Sequence, residues 1–339
     1  MDDLFSDAAR QLLSDQCTPH HVRTIEAGGS AQALWSFIED AGFADALMPE
    51  AQDGAGLSLA QVFGVLELCG AFAVPVPLAD TMLARALLAQ AGAARPAGSL
   101  ALAQGQPCEG GGLRCANVPL GVVADAVLVA APSGWQVLPA AVAERSPAGF
   151  CLDAGLQWTA AQLAAAPRID VRLPAGCDLR TLQAALYAAQ LSGALMSVFQ
   201  RTLQYANDRN QFGRPIGKFQ AIQHQLSVMS EHVFAARMAA QLGCSGDGIG
   251  LQRLRVAVAK ARASEAALAV AELSHSIHGA IGFTAEYDLQ LYTRRLHAWR
   301  QAAGSESYWH SVAGACLVDQ HAGLTLDLIR QTTDSLEAR

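Results

Sequence analysis

A chain of 339 residues exceeds what one simple core organises and calls for two or three domains. Apolar residues make up 52% and aromatic ones only 6%, an alanine-rich balance that favours packed helices over β-sandwiches. The net charge is −7 and the basic residues are scattered, which argues against nucleic-acid binding but leaves room for a local cationic site for an anionic coenzyme.

The start, MDDLFSDAARQLL, is acidic and amphipathic and lacks the basic opening of a signal peptide. Residues 1–95 read as helices, with Leu4, Ala8 and Leu12, then Leu34, Phe37 and Ile38, at helical spacing. MPEAQDGAGLSL (48–59) is a glycine-bearing turn. The helix after it carries Val62, Val65, Leu66 and Cys69 and stops near Gly70 and VPVP. The texture then changes over 96–176, where glycine and proline punctuate short β-branched runs. AVLVAA, WQVLP and IDVRLP read as strands of a small β-domain. The apolar run GVVADAVLVAA (121–131) is too short to span a bilayer and is cut by Asp125. Without a span or a signal, the expectation is a cytoplasmic protein.

From 177 to 339 the pattern is helical again. Asp178 is a candidate N-cap, and Leu179, Leu182, Leu186, Ala189, Gly193, Met196, Phe199 and Leu203 mark one long helix. Phe219, Ile222, Leu226, Met229 and Val233 continue the rhythm in a second. GCSGDGIG (243–250) is a polar loop; no strand precedes it, so its glycines are a poor phosphate cradle. A third helix runs to about 278 and a fourth over roughly 286–330, with a break at Gly304. Four long helices with short connections predict a bundle, so the fold class is α+β, mostly α. Eight cysteines are spread singly from Cys17 to Cys316 with no CxxC pair, which reads as reduced core thiols. His275 and His278 lie one turn apart without a third ligand, and no metal site is expected.

Between the first two long helices lies DRNQFGRPIGKFQAIQHQL (208–226). Gly213 and Pro215 stop the helix and turn the chain, so Arg209 and Phe212 stand on a fixed corner. A guanidinium holds two phosphate oxygens in a bidentate clamp, and a phenyl ring offers a flat face to a nucleotide. An ordinary helical hairpin with a solvated arginine fits the same residues.

RNQFGRPIGKFQAIQ resembles the flavin-binding turn of the acyl-CoA dehydrogenase family, Arg-x-x-Phe-Gly-x-x-Ile-x-x-Phe-Gln-x-Ile-Gln, at every fixed position. IHGAIGFTAEYDLQLYTRR (277–295) is similar to the family's Gly-Gly-x-Gly-Phe-Thr-x-Glu-Tyr segment, AGFADALMPEAQDGAGLSL to its Pro-Glu-x-x-Gly-Gly-x-Gly-Leu-Ser turn, and IDVRLPAG to the strand leaving its β-domain. The matches follow the family's order, and the helical, β and bundle parts (1–95, 96–176, 177–339) agree with its fold. The resemblance implies α,β-desaturation of an acyl-CoA thioester with FAD, electrons passing to an electron-transferring flavoprotein. It implies that Arg209 and Phe212 hold the FAD of a neighbouring subunit, that Ile216, Phe219 and Gln220 line the same groove, and that Ile277 and Gly279 lie near the cofactor.

The departures from the family gather on the chemistry. Aligned on Gly304, the glutamate of the family's Tyr-Glu-Gly-Thr base segment becomes Ala303 in WRQAAGSES; the alternative base position on the first long helix is Gln183. Neither takes a proton. Ala184 stands where many members have an arginine for coenzyme A phosphates. Only ALAQ (101–104) remains of the Thr-Glu-Pro-x-x-Gly-Ser-Asp flavin loop, and Ser276 and Ala280 replace a glutamine and a glycine of the second motif. No catalytic residue is therefore assigned. The pattern resembles the shorter, degenerate subunit of heteromeric acyl-CoA dehydrogenases of bacterial steroid side-chain degradation, which pairs with a full-length subunit in a tetramer. The alternatives are a homotetramer with Glu306 as an unusual base and a flavin-free interaction subunit. Otherwise Glu306 is a solvated or capping carboxylate, Glu286 and Asp288 are helix-start charges, and Arg294 and Arg295 a solvated or interface pair. His278 packs beside the FAD site or forms an ordinary hydrogen bond.

Overall fold

The computed structural model describes residues 2–320 and 323–334. The chain divides into two compact units, residues 1–175 with 247–249, and residues 176–246 with 250–339.

The first unit opens with α1 (Asp2–Gln16), α2 (Pro19–Glu26), α3 (Gln32–Asp40), α4 (Phe63–Ala71) and α5 (Leu78–Gln90). Thr18 caps α2 by accepting from His21 N, and Pro19 sits at the first position, where its missing N–H costs nothing. Almost every residue of α5 is buried, as its apolar composition on all sides requires. The sequence pattern did not separate this helix from its neighbours. Its fully buried Arg85 is paired with Glu39 (2.5 Å) and Asp45 (2.9 Å) and donates to Gly98 O.

The strands β1 (Leu100–Gln104), β2 (Gln106–Pro107), β3 (Leu113–Val118), β4 (Ala126–Ala131), β5 (Gly134–Pro139), β6 (Glu144–Pro147) and β7 (Ala154–Trp158) form two sheets, followed by α6 (Ala160–Ala165). In one, β1 runs parallel to β4 and β5 returns antiparallel; the other is antiparallel in the order β2-β3-β7-β6. Ala101, Cys115, Val127, Leu138, Leu156 and Trp158 belong to one core cluster. IDVRLP is not a strand. It contributes a single bridge, Ile169 to Trp135, because Pro167 and Pro174 bracket it and Asp170 pairs locally with Arg172. The cysteines divide: Cys17, Cys69, Cys115 and Cys244 are buried, Cys151 is exposed, and Cys108, Cys177 and Cys316 lie between, all unbridged.

The second unit consists of α7 (Leu179–Asp208), the short strands β8 (Asn210–Gln211) and β9 (Arg214–Pro215), and α8 (Gln220–Gly243). The short strands β10 (Gly246–Asp247) and β11 (Gly250–Leu251) follow, then α9 (Arg253–His278), α10 (Leu289–Gln301), α11 (Glu306–Ala315) and α12 (Thr325–Thr333). Asp178 caps α7, its Oδ1 accepting from Thr181 N at 2.7 Å. α7, α8 and α9 pack on one another, with α10 on α7 and α9 and α11 on α9. Small residues let the helices approach: a Cβ on Gly243 would lie 2.5 Å from Ala259 Cβ. α7 is long and apolar enough to cross a bilayer by length and composition, but most of its apolar window is buried in the protein.

Three expectations need correction here. The polar loop 243–250 contains a minimal hairpin, β10–β11. The fourth helix does break at Gly304, where it and Ala303 take positive φ, but it breaks a second time, at the π-helical Cys316–Gln320, and so makes three helices. Phe37 and Leu203, placed on buried stripes by their spacing, are 47% and 40% exposed.

Candidate functional site

α7 ends at the motif corner. Arg209 is its C-cap, and the next four paired residues form a hairpin, Asn210 opposite Pro215 and Gln211 opposite Arg214. The two-residue loop between them is Phe212-Gly213, with φ of 53° and 78°. Positive φ at both positions is the type I′ pattern, which normally demands Asn, Asp or Gly at the first. Phenylalanine there carries a strain of about 1 kcal/mol, and its ring is 91% exposed. Nothing within the chain repays that arrangement by burial. Ile216 N closes the hairpin on Arg209 O at 2.8 Å, and Gly217 is needed because a Cβ would approach Ala206 O to 3.1 Å.

The ring of Phe219 organises this corner. Phe212 meets it edge-on at 6.1 Å and 84°, and the Arg214 guanidinium lies 4.2 Å over its centroid. Ile216 is half-buried beside it, and Gln220 opens α8 with an exposed side chain. Among the described residues, the side chains of Arg209, Arg214 and Lys218 have no ion-pair or hydrogen-bond partner. They flank the N-terminus of α8, whose free N–H groups add positive potential. Asp208 is engaged by Gln204 Nε2 at 2.8 Å. In a chain of net charge −7, unpaired cations around an exposed aromatic ring suit an anionic, aromatic ligand.

The second motif is joined to this corner inside the same unit. Tyr205, one turn before Arg209, stacks on His278 at 4.3 Å and 23°, and its hydroxyl donates to His278 O at 3.3 Å. Tyr287 closes on both rings. His278 Nδ1 donates to Ser274 O at 2.8 Å, and burial holds the ring's pKa below the usual histidine value against that bond's opposing pull. The neutral tautomer therefore carries its proton on Nδ1. Gly279 ends α9 at φ 63°, a conformation that leaves little choice but glycine. Gly279 and Ala280 are exposed, whereas Ile277 is buried in the bundle. His275 bonds Thr293 and stacks on Phe283; among the described residues no group of His, Cys, Asp and Glu could hold a metal. Arg295, expected with Arg294 as a solvated or interface pair, is instead fully buried and donates to Leu291 O, while Arg294 stays at the surface on Gln290.

The turn that the sequence aligned with the family's base segment has a different character. Between α10 and α11, Ala303 has φ 54° and Gly304 φ 103°. Fully buried Lys260 donates to Arg300 O (2.9 Å), Gly304 O (3.0 Å) and Ser264 Oγ (2.9 Å), and Trp309 Nε1 donates to Ala303 O (3.0 Å). Burial pushes the Lys260 amine down to about 7, against the pull of Glu306. Glu306, in the first turn of α11, is ion-paired with Arg300. Burial pushes its carboxyl up, but the hydrogen bond from Arg300 and the charges of Arg300 and Lys260 outweigh that and leave it below the usual carboxylate value. Such a carboxylate is a poor proton acceptor. Gln183 is half-buried on α7 and Ala184 fully buried. The remnant ALAQ of the flavin loop is interior strand β1, and Gly105 after it has no room for a Cβ against Val129 and Leu113.

Sequence reasoning found Arg209 and Phe212 by motif and missed Tyr205, Arg214, Lys218 and Lys260. Arg214 and Lys218 sit at variable positions inside the quoted motif. Lys260 is a lone lysine in an alanine-rich helix, where sequence reading puts it in solvent.

The chain has known relatives. A family model described as "Acyl-CoA dehydrogenase, C-terminal domain" matches residues 181–313. Over 306 residues the chain is 31% identical to acyl-CoA dehydrogenase IpdE2 of Mycolicibacterium smegmatis, covering 89% of this chain and 94% of that protein. A variant of the Tcur3481-Tcur3483 steroid ACAD superposes with TM-score 0.80 and 26% identity over 95% of this chain and 99% of that one. The ChsE4-ChsE5 complex from Mycobacterium tuberculosis superposes with TM-score 0.77 and 23% identity over 95% and 98%, a likeness of fold.

Proposed function

The chain belongs to the acyl-CoA dehydrogenase family of FAD-dependent oxidoreductases, and from that premise we propose that it is a base-lacking subunit of a heteromeric acyl-CoA dehydrogenase. Its α7–α8 corner holds FAD seated in a full-length partner subunit, and the partner carries the acyl-CoA and the base. FAD, when bound, supplies the hydride acceptor. Arg209 clamps the pyrophosphate, Phe212 packs on the adenosine, and Gln220, Phe219 and Ile216 border them, with Gly279 leaving space on the second segment. Ile277 acts from behind, as packing. The substrate class is a steroid-derived acyl-CoA, supported by the likeness to a steroid ACAD, and the expected acceptor is an electron-transferring flavoprotein in the cytoplasm.

The observation that carries this reading is the contrast at the α10–α11 turn. The residue at the base position is Ala303, the nearby Glu306 is tied to Arg300, and the turn's carbonyls are taken by Lys260 and Trp309. The same pairing speaks against the homotetramer with Glu306 as base. The unpaired cations around Phe212 speak against a flavin-free scaffold.

Native mass spectrometry of the chain alone and co-expressed with a full-length family member, with flavin content and acyl-CoA turnover, tests the proposal. The expected result is a flavin-containing tetramer of both chains that turns over where neither chain does alone. Turnover by this chain alone, abolished in Glu306→Gln, would sink it.

A further inference from the structure

We propose that Arg214, which lies outside the fixed positions of the matched motif, is a second guanidinium of the dinucleotide site, pre-organised on Phe219 to grip the pyrophosphate alongside Arg209. The inference rests on the reading of the corner as an FAD-holding surface and adds a residue to it.

Three observations carry it. The I′ hairpin fixes where Arg214 leaves the backbone: it is paired with Gln211, and the next residue but one closes the strand pair on Arg209 through Ile216 N. Arg209, the residue just before the first strand, and Arg214, which opens the second, thus leave the two arms of one very short hairpin. The guanidinium of Arg214 lies 4.2 Å over the Phe219 ring. Seated over the ring face, the guanidinium still has N–H donors that the ring does not take, and these can meet an anion. No described residue accepts from them. Finally, the same Phe219 ring supports Phe212 edge-on, so one side chain sets both the cation and the exposed phenyl. A pyrophosphate presents two adjacent phosphoryl groups, and a pair of guanidinium forks matches them better than one. Lysine in place of Arg214 would keep the charge but neither the stack nor the fork.

The test uses the tetramer of this chain co-purified with its full-length partner, stripped of flavin and titrated with FAD at low and high salt. Arg214→Ala weakens FAD binding by about tenfold, flattens its salt dependence and leaves the melting temperature in place, as loss of one charged contact at an exposed side chain should. Arg214→Lys restores the salt dependence but less than half of the lost affinity. Phe219→Leu loses about as much as Arg214→Ala, and the double variant loses little more than either, because the ring acts through the guanidinium. Should Arg214→Ala leave affinity and salt dependence unchanged while Arg209→Ala weakens binding, this inference is overturned and the reading of the corner stands. Should neither arginine matter, or the chain's oligomer take up no FAD, both fall together.

Discussion

Two turns in the bundle unit share a backbone and differ in everything else. At Phe212-Gly213 and at Ala303-Gly304, a non-glycine residue at φ near 54° precedes a glycine at positive φ. At the first, the aromatic ring faces solvent and the surrounding cations are unpaired. At the second, a buried lysine and a tryptophan engage the carbonyls, and the nearby carboxylate is locked to an arginine. Unpaired polar groups and strain at one corner fit a surface waiting for a ligand. At the other, the turn's carbonyls are held by donors from neighbouring helices, and only Arg300 Nε and Glu306 Oε2 are buried there without a partner, which fits a turn fixed by the fold.

The largest way to break that contrast is to open the closed turn. Lys260→Met takes the donor from Gly304 O and leaves Arg300 O with Ser264 Oγ alone, and about 3 kcal/mol of stability should be lost at alkaline pH. Chemical denaturation measures it, and a loss near zero would mean that water replaces the amine and that the turn is not closed. The same lysine gives a pH signature. Its amine titrates near 7 in the fold against an ordinary 10.5, so the unfolded chain binds more protons between those values. Stability from this group is therefore gained as pH rises through about 7 and lost as it falls. Relative to Lys260→Met, the wild type should gain up to about 1.4 kcal/mol per pH unit between pH about 7 and 9. A flat difference would place the ammonium in water.

At the open corner the effect falls on binding rather than folding. Arg209→Ala should raise the FAD dissociation constant about 30-fold, roughly 2 kcal/mol for a charged hydrogen-bonded contact. The melting temperature should not move, because the side chain has no ion-pair or hydrogen-bond partner among the described residues. Unchanged flavin occupancy would remove the distinction between the two turns.

The two turns were unequally legible in the sequence. The long helices were plain from the stripes along α7, α8 and α9, and Asp178 marked its cap. The motif pointed to the corner, but not to the hairpin at its tip, because phenylalanine is no turn former and strands of two residues carry no periodicity. Ala303 was visible as the residue aligned with the glutamate of the family's base segment. What closes that turn was not: Lys260 and Trp309 come from other helices, and burial of a lysine or of Arg295 is a tertiary outcome that overrides composition. IDVRLP failed as a strand for a similar reason, since its neighbours offered only one bridge.

The finest comparison substitutes glycine at both left-handed positions. Phe212→Gly and Ala303→Gly relieve the same backbone strain, and each should stabilise the chain by somewhat less than about 1 kcal/mol, since glycine's extra freedom in the unfolded state offsets part of the gain. In a unit of this size that is a rise of about 2 °C in melting temperature. The two variants then part. Ala303→Gly changes nothing a ligand touches, so flavin affinity and assembly with the partner stay as they were. Phe212→Gly removes a ring that is 91% exposed in the isolated chain and meets only Phe219 edge-on among the ring contacts of the described residues, so a fall in FAD affinity reports a contact made in the assembled enzyme. A fall of about tenfold at Phe212 beside none at Ala303 is the expected split. Equal behaviour of the two variants in the flavin titration would mean that the exposed phenyl is an accident of the turn.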